Sequence, residues 1–150
     1  MREAIHLARN AVEKAFGGPF GAVVVKQGRI VGRGWNCVTS SNDPTAHAEV
    51  MAIRDACRTL ETYWLEGCEL YVNCEPCMMC LGAVYWARIA RVYYGTDRAD
   101  AAAIGFADEH IGDELCRPPA QRSVPMEQGF RTEALEVFDL WREKDDKIPY

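Results

Sequence analysis

Two short clusters carry residue types that bind metals and move protons: His47-Ala48-Glu49 and Pro76-Cys77-Met78-Met79-Cys80. Two thiolates three residues apart at the start of a helix can reach one ion, and a histidine from another helix supplies a third ligand. The fourth position stays open. Unlike a closed structural site, such a centre has room for a water whose pKa zinc lowers toward neutrality. The first turn of a helix also favours thiolate over thiol. Zinc with two thiolates and a neutral imidazole is formally neutral, so it can sit in a pocket without an uncompensated charge.

Water that attacks a carbon must lose a proton while a leaving group gains one, so the chemistry needs a shuttle. Glu49 is the candidate. Positions two apart on a regular helix point to different sides, but at a helix start a long side chain can bend toward the metal. The competing reading is a Cys-rich structural clip in which Cys74 fills the fourth position. A lone C-x-x-C also fits a redox pair, and an isolated H-x-E carries little information.

The elements that must position these residues follow from periodicity. Ala4 to Phe16 places Ile5, Ala8, Val12 and Ala15 at helical spacing. Ala22 to Val25, Gln27-Gly28 and Ile30-Val31 read as two strands joined by a tight turn. Residues 36 to 45 are polar and read as a loop; Asp43 is placed to cap the next helix, with Pro44 in its first turn. Ala46, Val50, Ile53, Cys57 and Leu60 form the apolar stripe of that helix. Cys68 to Asn73 is strand-like, Pro76 begins a helix through about Trp86, Ile89 to Tyr94 is a further strand, and 97 to 106 is helical. Ser123 to Gln128 suggests a short strand, and Ala134, Val137, Phe138 and Trp141 mark a last amphipathic helix. Alternation after an opening hairpin implies mostly parallel strands behind it, between helices: a three-layer α/β/α fold with a mixed central sheet, in one domain spanning 1–150.

Composition narrows the class. The chain has 150 residues, 49% of them hydrophobic, 26% charged and 10% aromatic, which excludes a disordered or low-complexity chain. Seventeen Lys plus Arg against twenty-two Asp plus Glu give a net charge of -5, with no basic run, which disfavours nucleic acid and favours a small uncharged substrate. No stretch has the length and apolarity of a membrane span, and the amino end does not read as a signal peptide, so a cytoplasmic location is expected. Seven cysteines, an odd number, point to reduced thiols rather than a disulfide framework, with Cys37, Cys57 and Cys68 as core thiols.

Three residues are candidates for a pocket wall, each with a plainer alternative. Asn36 can bind a ring through its amide or merely fix a turn; Phe20 can wall a pocket or pack in the core; Trp86 can face a ring or be ordinary packing.

Linked in this order, each opening a helix in an α/β pattern, the two clusters match the H-x-E and P-C-x-x-C signature of zinc deaminases. The chain resembles the cytidine deaminase-like zinc superfamily, and within it the bacterial guanine deaminase family. The resembling segments are GGPFGAVVV at 17–25, NDPTAHAEVMAIR at 42–54, NCEPCMMCLGAVYWAR at 73–88 and AAAIGFADEHI at 101–111. The first three are also similar to tRNA adenosine deaminases. Tyr85-Trp86, GFAD at 105–108 and the closing Pro149-Tyr150 tilt the likeness toward guanine.

The resemblance implies that His47, Cys77 and Cys80 bind Zn²⁺, that Glu49 shuttles protons, and that Asn36, Asp108, Phe20, Trp86 and Tyr150 surround guanine. It implies hydrolysis of guanine to xanthine and ammonia, a step of purine catabolism. It also implies a homodimer with a swapped carboxyl-terminal segment, for which Pro118-Pro119 offers an extended linker. A tRNA adenosine, an aminopyrimidine or an aminotriazine is the alternative substrate. The chain departs from the family at Met78-Met79, where Pro-Met is common, and at Ala107, where a second acid is expected beside Asp108.

Overall fold

In the computed structural model, which describes residues 1–149, the chain turns back on itself at Gln27-Gly28, both with positive φ (49° and 76°). That is the dihedral pattern of a two-residue hairpin turn whose twist matches the flanking strands. The turn joins β1 (Gly21–Lys26) to β2 (Arg29–Trp35), closing on the pair Lys26 and Arg29. On its other edge β1 pairs antiparallel with β3 (Cys68–Cys74), and β3 pairs in parallel with β4 (Arg91–Thr96). The sheet order is β2-β1-β3-β4. It is therefore a mixed sheet, as expected, with one parallel pair rather than the parallel majority that the alternation of elements suggested.

Alternation along the strands separates two faces. Ala22 and Val24 of β1 lie beside Val72 and Leu70 of β3, and these side chains form the core with Ala48, Ala52, Ile53 and Ala56 of α3 (Ala48–Leu60) and Val84 of α4 (Met78–Trp86). The opposite face carries α1 (Arg2–Glu13), with Ala4 and Ala8 against Gly21. These are the three layers. The chain also forms α2 (Val38–Ser41) inside the polar stretch read as a loop, and α5 (Arg98–Ala103) after β4.

Small residues set the spacing between α3 and the sheet. A Cβ on Gly34 would lie 2.2 Å from the Ala48 carbonyl oxygen, and one on Gly32 would lie 2.4 Å from that of Ala52. Backbone thus meets backbone, which is why alanines fill this seam. The fully buried residues of α3 are Ala48, Glu49, Ala52, Ile53 and Ala56; of the expected stripe, Ala46 and Ile53 are buried, Cys57 and Leu60 pack partly buried against the core, and Val50 is half-buried. In α1, likewise, Ala4, Leu7, Ala8 and Ala11 are buried while Ile5 and Val12 are exposed. Asp43 does not cap α3; its Oδ1 accepts from the Thr45 backbone N–H and hydroxyl at 2.8 and 2.7 Å, fixing a local turn.

The chain divides into two compact units, residues 1–112 and residues 113 onward, with α6 (Glu109–Cys116) running across the boundary. In the second unit the expected strand at Ser123 to Gln128 does not form. The Glu114 carboxylate accepts from the Ser123 amide at 2.6 Å and its hydroxyl at 2.8 Å, so this segment spends its first donor on a side chain instead of a ladder. A 3-10 turn covers Pro119–Gln121, and α7 is Arg131–Glu143, carrying the apolar residues expected of it. Among the described residues no helix is long and apolar enough to cross a membrane.

Replacing Gly34 with Ala forces a methyl group onto the α3 backbone and is expected to destabilise the fold by about 1–3 kcal/mol. A urea-melt midpoint equal to the parent's would contradict the close helix-on-sheet approach.

Candidate metal centre

Parallel neighbours β3 and β4 leave the sheet at the same end, and β3 runs through Glu75-Pro76 directly into α4. Cys77 is the N-cap of α4, with extended dihedrals (φ -67°, ψ 171°), and Cys80 lies in the first turn. His47 is the N-cap of α3, also extended (φ -72°, ψ 155°). Two helix starts therefore face each other. The His47 Nδ1 lies 3.6 Å from Cys77 Sγ and 3.5 Å from Cys80 Sγ, and the three donor atoms are within 4.8 Å of one another.

A tetrahedral zinc site with usual Zn–S and Zn–N bonds requires nitrogen and sulfur about 3.6 Å apart. The observed separations meet that requirement. Cys74 stands outside the trio: its thiol donates to the Asp97 carbonyl at 3.5 Å, and burial pushes the thiol up. Among the described residues the donor set is thus one imidazole and two sulfurs, the composition of an open catalytic site. All seven cysteines are free, in agreement with the reduced-thiol reading, and Cys68 is fully buried while Cys37 and Cys57 are partly so.

The electrostatics fit the same purpose. The Cys80 thiol and, less strongly, the His47 imidazole bring the Cys77 thiol down to about 4. Hydrogen bonding to the Cys77 sulfur, with burial, pushes Cys80 well up, and the same sulfur raises His47 against the opposing effect of its own burial. A divalent cation replaces protons in such a cluster, so metal binding releases them.

Glu49 is buried at 6% exposure, unusual for an acid. Burial pushes its carboxyl above the usual range, and the Cys77 charge adds to this, while the Cys80 thiol favours the carboxylate. The geometric objection to pairing positions 47 and 49 falls away because His47 lies outside the helix, as its cap. The helical rotation does not apply between them.

A cavity of about 450 Å³ opens beside this cluster, with Phe20, Asn36, His47, Glu49, Cys77 and Asp108 in its wall. Asn36 is buried, and its Oδ1 accepts from the Gly18 and Val38 backbone N–H groups at 3.2 Å each. It fixes the turn and also lines the cavity. Phe20 meets Phe106 edge-to-face, ring centres 4.9 Å apart. Phe106 and Arg98 also line the cavity; Phe106 falls within the GFAD segment at 105–108, whereas Arg98 was not singled out from the sequence. Phe106 follows Gly105, whose φ of +93° is one that glycine adopts readily.

Trp86 ends α4, is 71% exposed and is not among the residues lining this cavity. Tyr150 lies outside the described residues.

Residues 1–96 match the family model for the cytidine and deoxycytidylate deaminase zinc-binding region. Over 150 residues the chain is 50% identical to a guanine deaminase of Bacillus subtilis (strain 168), covering all of this chain and 96% of that one. An X-ray structure of guanine deaminase from Bacillus subtilis superposes with a TM-score of 0.96 at 50% identity, covering 99% of this chain and 95% of that one. A tRNA-specific adenosine deaminase of Aquifex aeolicus (strain VF5) is 48% identical over 94 residues, 63% of this chain and 62% of its own.

Elemental analysis of purified protein is expected to give about one zinc per chain, lost with Cys77→Ser or Cys80→Ser and kept with Cys74→Ser. Loss of zinc on Cys74→Ser, in protein that remains folded, would contradict the three-ligand set.

Proposed function

The chain belongs to the zinc-binding cytidine and deoxycytidylate deaminase family, and on that premise we propose that it is a guanine deaminase, hydrolysing guanine to xanthine and ammonia. The observation that carries the reading is a buried carboxylate beside a zinc-spaced trio, opening on a cavity with aromatic walls. The 50% identity to a guanine deaminase extends over the whole chain, past residue 96 where the family model ends.

His47, Cys77 and Cys80 would hold the zinc. Bound there, it supplies a Lewis acid that lets water lose a proton near neutral pH. Everything else falls to the chain's own side chains. Glu49 takes the proton from the attacking water and delivers it to N3 of the ring as C2 accepts the oxygen. It then serves the exocyclic nitrogen, so that ammonia and not an amide anion departs. A carboxyl raised by burial holds a proton readily enough for both transfers.

Guanine lies edge-first in the cavity, against the aromatic wall that Phe20 and Phe106 form together, where an aromatic ring meets apolar surface. The Asn36 Oδ1 is committed to backbone, so its amide nitrogen is the group that donates to a purine acceptor. The Asp108 carboxylate accepts from ring N–H groups. In this reading the role of closing the site falls to Tyr150.

The working form is a cytoplasmic homodimer in which the segment after Pro118-Pro119 is exchanged between protomers. Support comes from apolar side chains that a single chain exposes: Tyr85 on α4, and Val137, Phe138 and Leu140 on α7.

Purified enzyme should convert guanine to xanthine in an assay that also offers adenine, cytosine, cytidine and anticodon-loop RNA. Turnover confined to RNA or cytidine would reject guanine. Glu49→Gln is expected to lower kcat by on the order of 10²–10⁴ while zinc content is unchanged. Deleting Tyr150 is expected to lower kcat/KM with zinc and fold retained; identical kinetics would remove its closing role.

A further inference from the structure

The ends of β3 and β4 are joined by a sequence of contacts that continues past the sheet. The Thr96 hydroxyl donates to the Asn73 carbonyl at 3.1 Å. The Cys74 thiol donates to the Asp97 carbonyl at 3.5 Å. The Glu75 amide donates to the Thr96 carbonyl at 2.8 Å. Last comes Arg98, whose Nη2 donates to the Pro76 carbonyl at 3.2 Å. Residues 73 to 76 are thus each held by one of residues 96 to 98, and the next residue is Cys77.

Arg98 does more than close the series. Its Nη2 also lies 4.0 Å from the Met78 sulfur, and its Nε is 3.9 Å from a Glu75 carboxylate oxygen. One guanidinium therefore touches Glu75, Pro76 and Met78, the residues on both sides of the first sulfur ligand. Its Nε is buried without a hydrogen bond, so Glu75 holds that end by charge alone. Only a planar fork with several fixed donors can span such a set.

The other end of the connection is as informative. Arg98 is the first residue of α5, whose start is fixed by a reciprocal box in which Asp97 accepts from the Asp100 amide and Asp100 from the Asp97 amide. From α5 the chain continues to Gly105, Phe106 and Asp108, all in the cavity wall. Arg98 is the side-chain link between that wall and the loop carrying Cys77.

We propose that Arg98 is a positioning residue, a strap from the substrate-facing wall to the Glu75-Pro76 segment that fixes Cys77 for metal binding. Loss of the strap leaves the first sulfur ligand on a loop with one fewer anchor and lets the Phe106–Asp108 wall move relative to the centre. Groups that orient a ligand without touching the ion commonly contribute 10–100-fold to metal retention or activity. The inference rests on the zinc-binding reading of the site but not on the choice of guanine.

The test is the rate at which zinc-loaded protein surrenders its metal to a chromogenic chelator, without substrate, well below the unfolding temperature. Arg98→Met keeps the stem and removes the fork; it is expected to release zinc on the order of tenfold faster at unchanged far-ultraviolet circular dichroism. Arg98→Lys keeps the charge and one carbonyl contact, and is expected to fall between Met and the parent. If Arg98→Met does not fold, the Lys variant decides alone: faster release supports the strap. Release from the folded variants within twofold of the parental rate would overturn it. A parent protein that binds no zinc would instead reject the metal-centre reading itself.

Discussion

The site depends on a close approach. His47 comes from the start of α3 and the two sulfurs from the start of α4, so the ligands converge only if α3 lies at one height above the sheet. Gly32 and Gly34 set that height by letting the Ala48 and Ala52 carbonyls rest on β2 backbone. A larger residue there moves the whole helix, and His47 with it. The small-residue seam and the metal centre are one construction.

Placing the ligands at helix N-caps has a second consequence. Extended dihedrals at His47 and Cys77 free these side chains from helical rotation, so Glu49, two residues after His47, can face the same cavity. The sheet contributes the other side: because β3 and β4 are parallel, the segments after them emerge together and are tied rung by rung. A carboxylate 6% exposed is costly to bury, and it is maintained where proton transfer needs a raised pKa rather than where packing needs bulk.

Much of this was legible in the chain. The hairpin came from Gln27-Gly28 between apolar runs, β3 from the strand-like run Cys68 to Asn73, and the donor trio from two clusters with helix-start signals. Periodicity located α1 and α3 but misassigned the buried face of α1 and passed over Ala48, Ala52 and Ala56 of α3, because alanines opposite glycines permit backbone contact and larger apolar residues do not. Asp43 and Ser123 were misread because side chains captured backbone amides locally, a competition that pattern cannot weigh. Arg98 and Phe106 line the cavity from a segment distant in sequence from the metal-binding clusters, a proximity that periodicity does not reveal.

The central claim is a metal held by one nitrogen and two sulfurs, with its last place open to water. Zinc K-edge X-ray absorption of the purified protein measures that shell directly. The expected result is two sulfurs at about 2.3 Å with two lighter atoms, nitrogen and oxygen, at about 2.0–2.1 Å. A shell of three sulfurs, with Cys74 completing it, would contradict the account, for no place would remain for the attacking water.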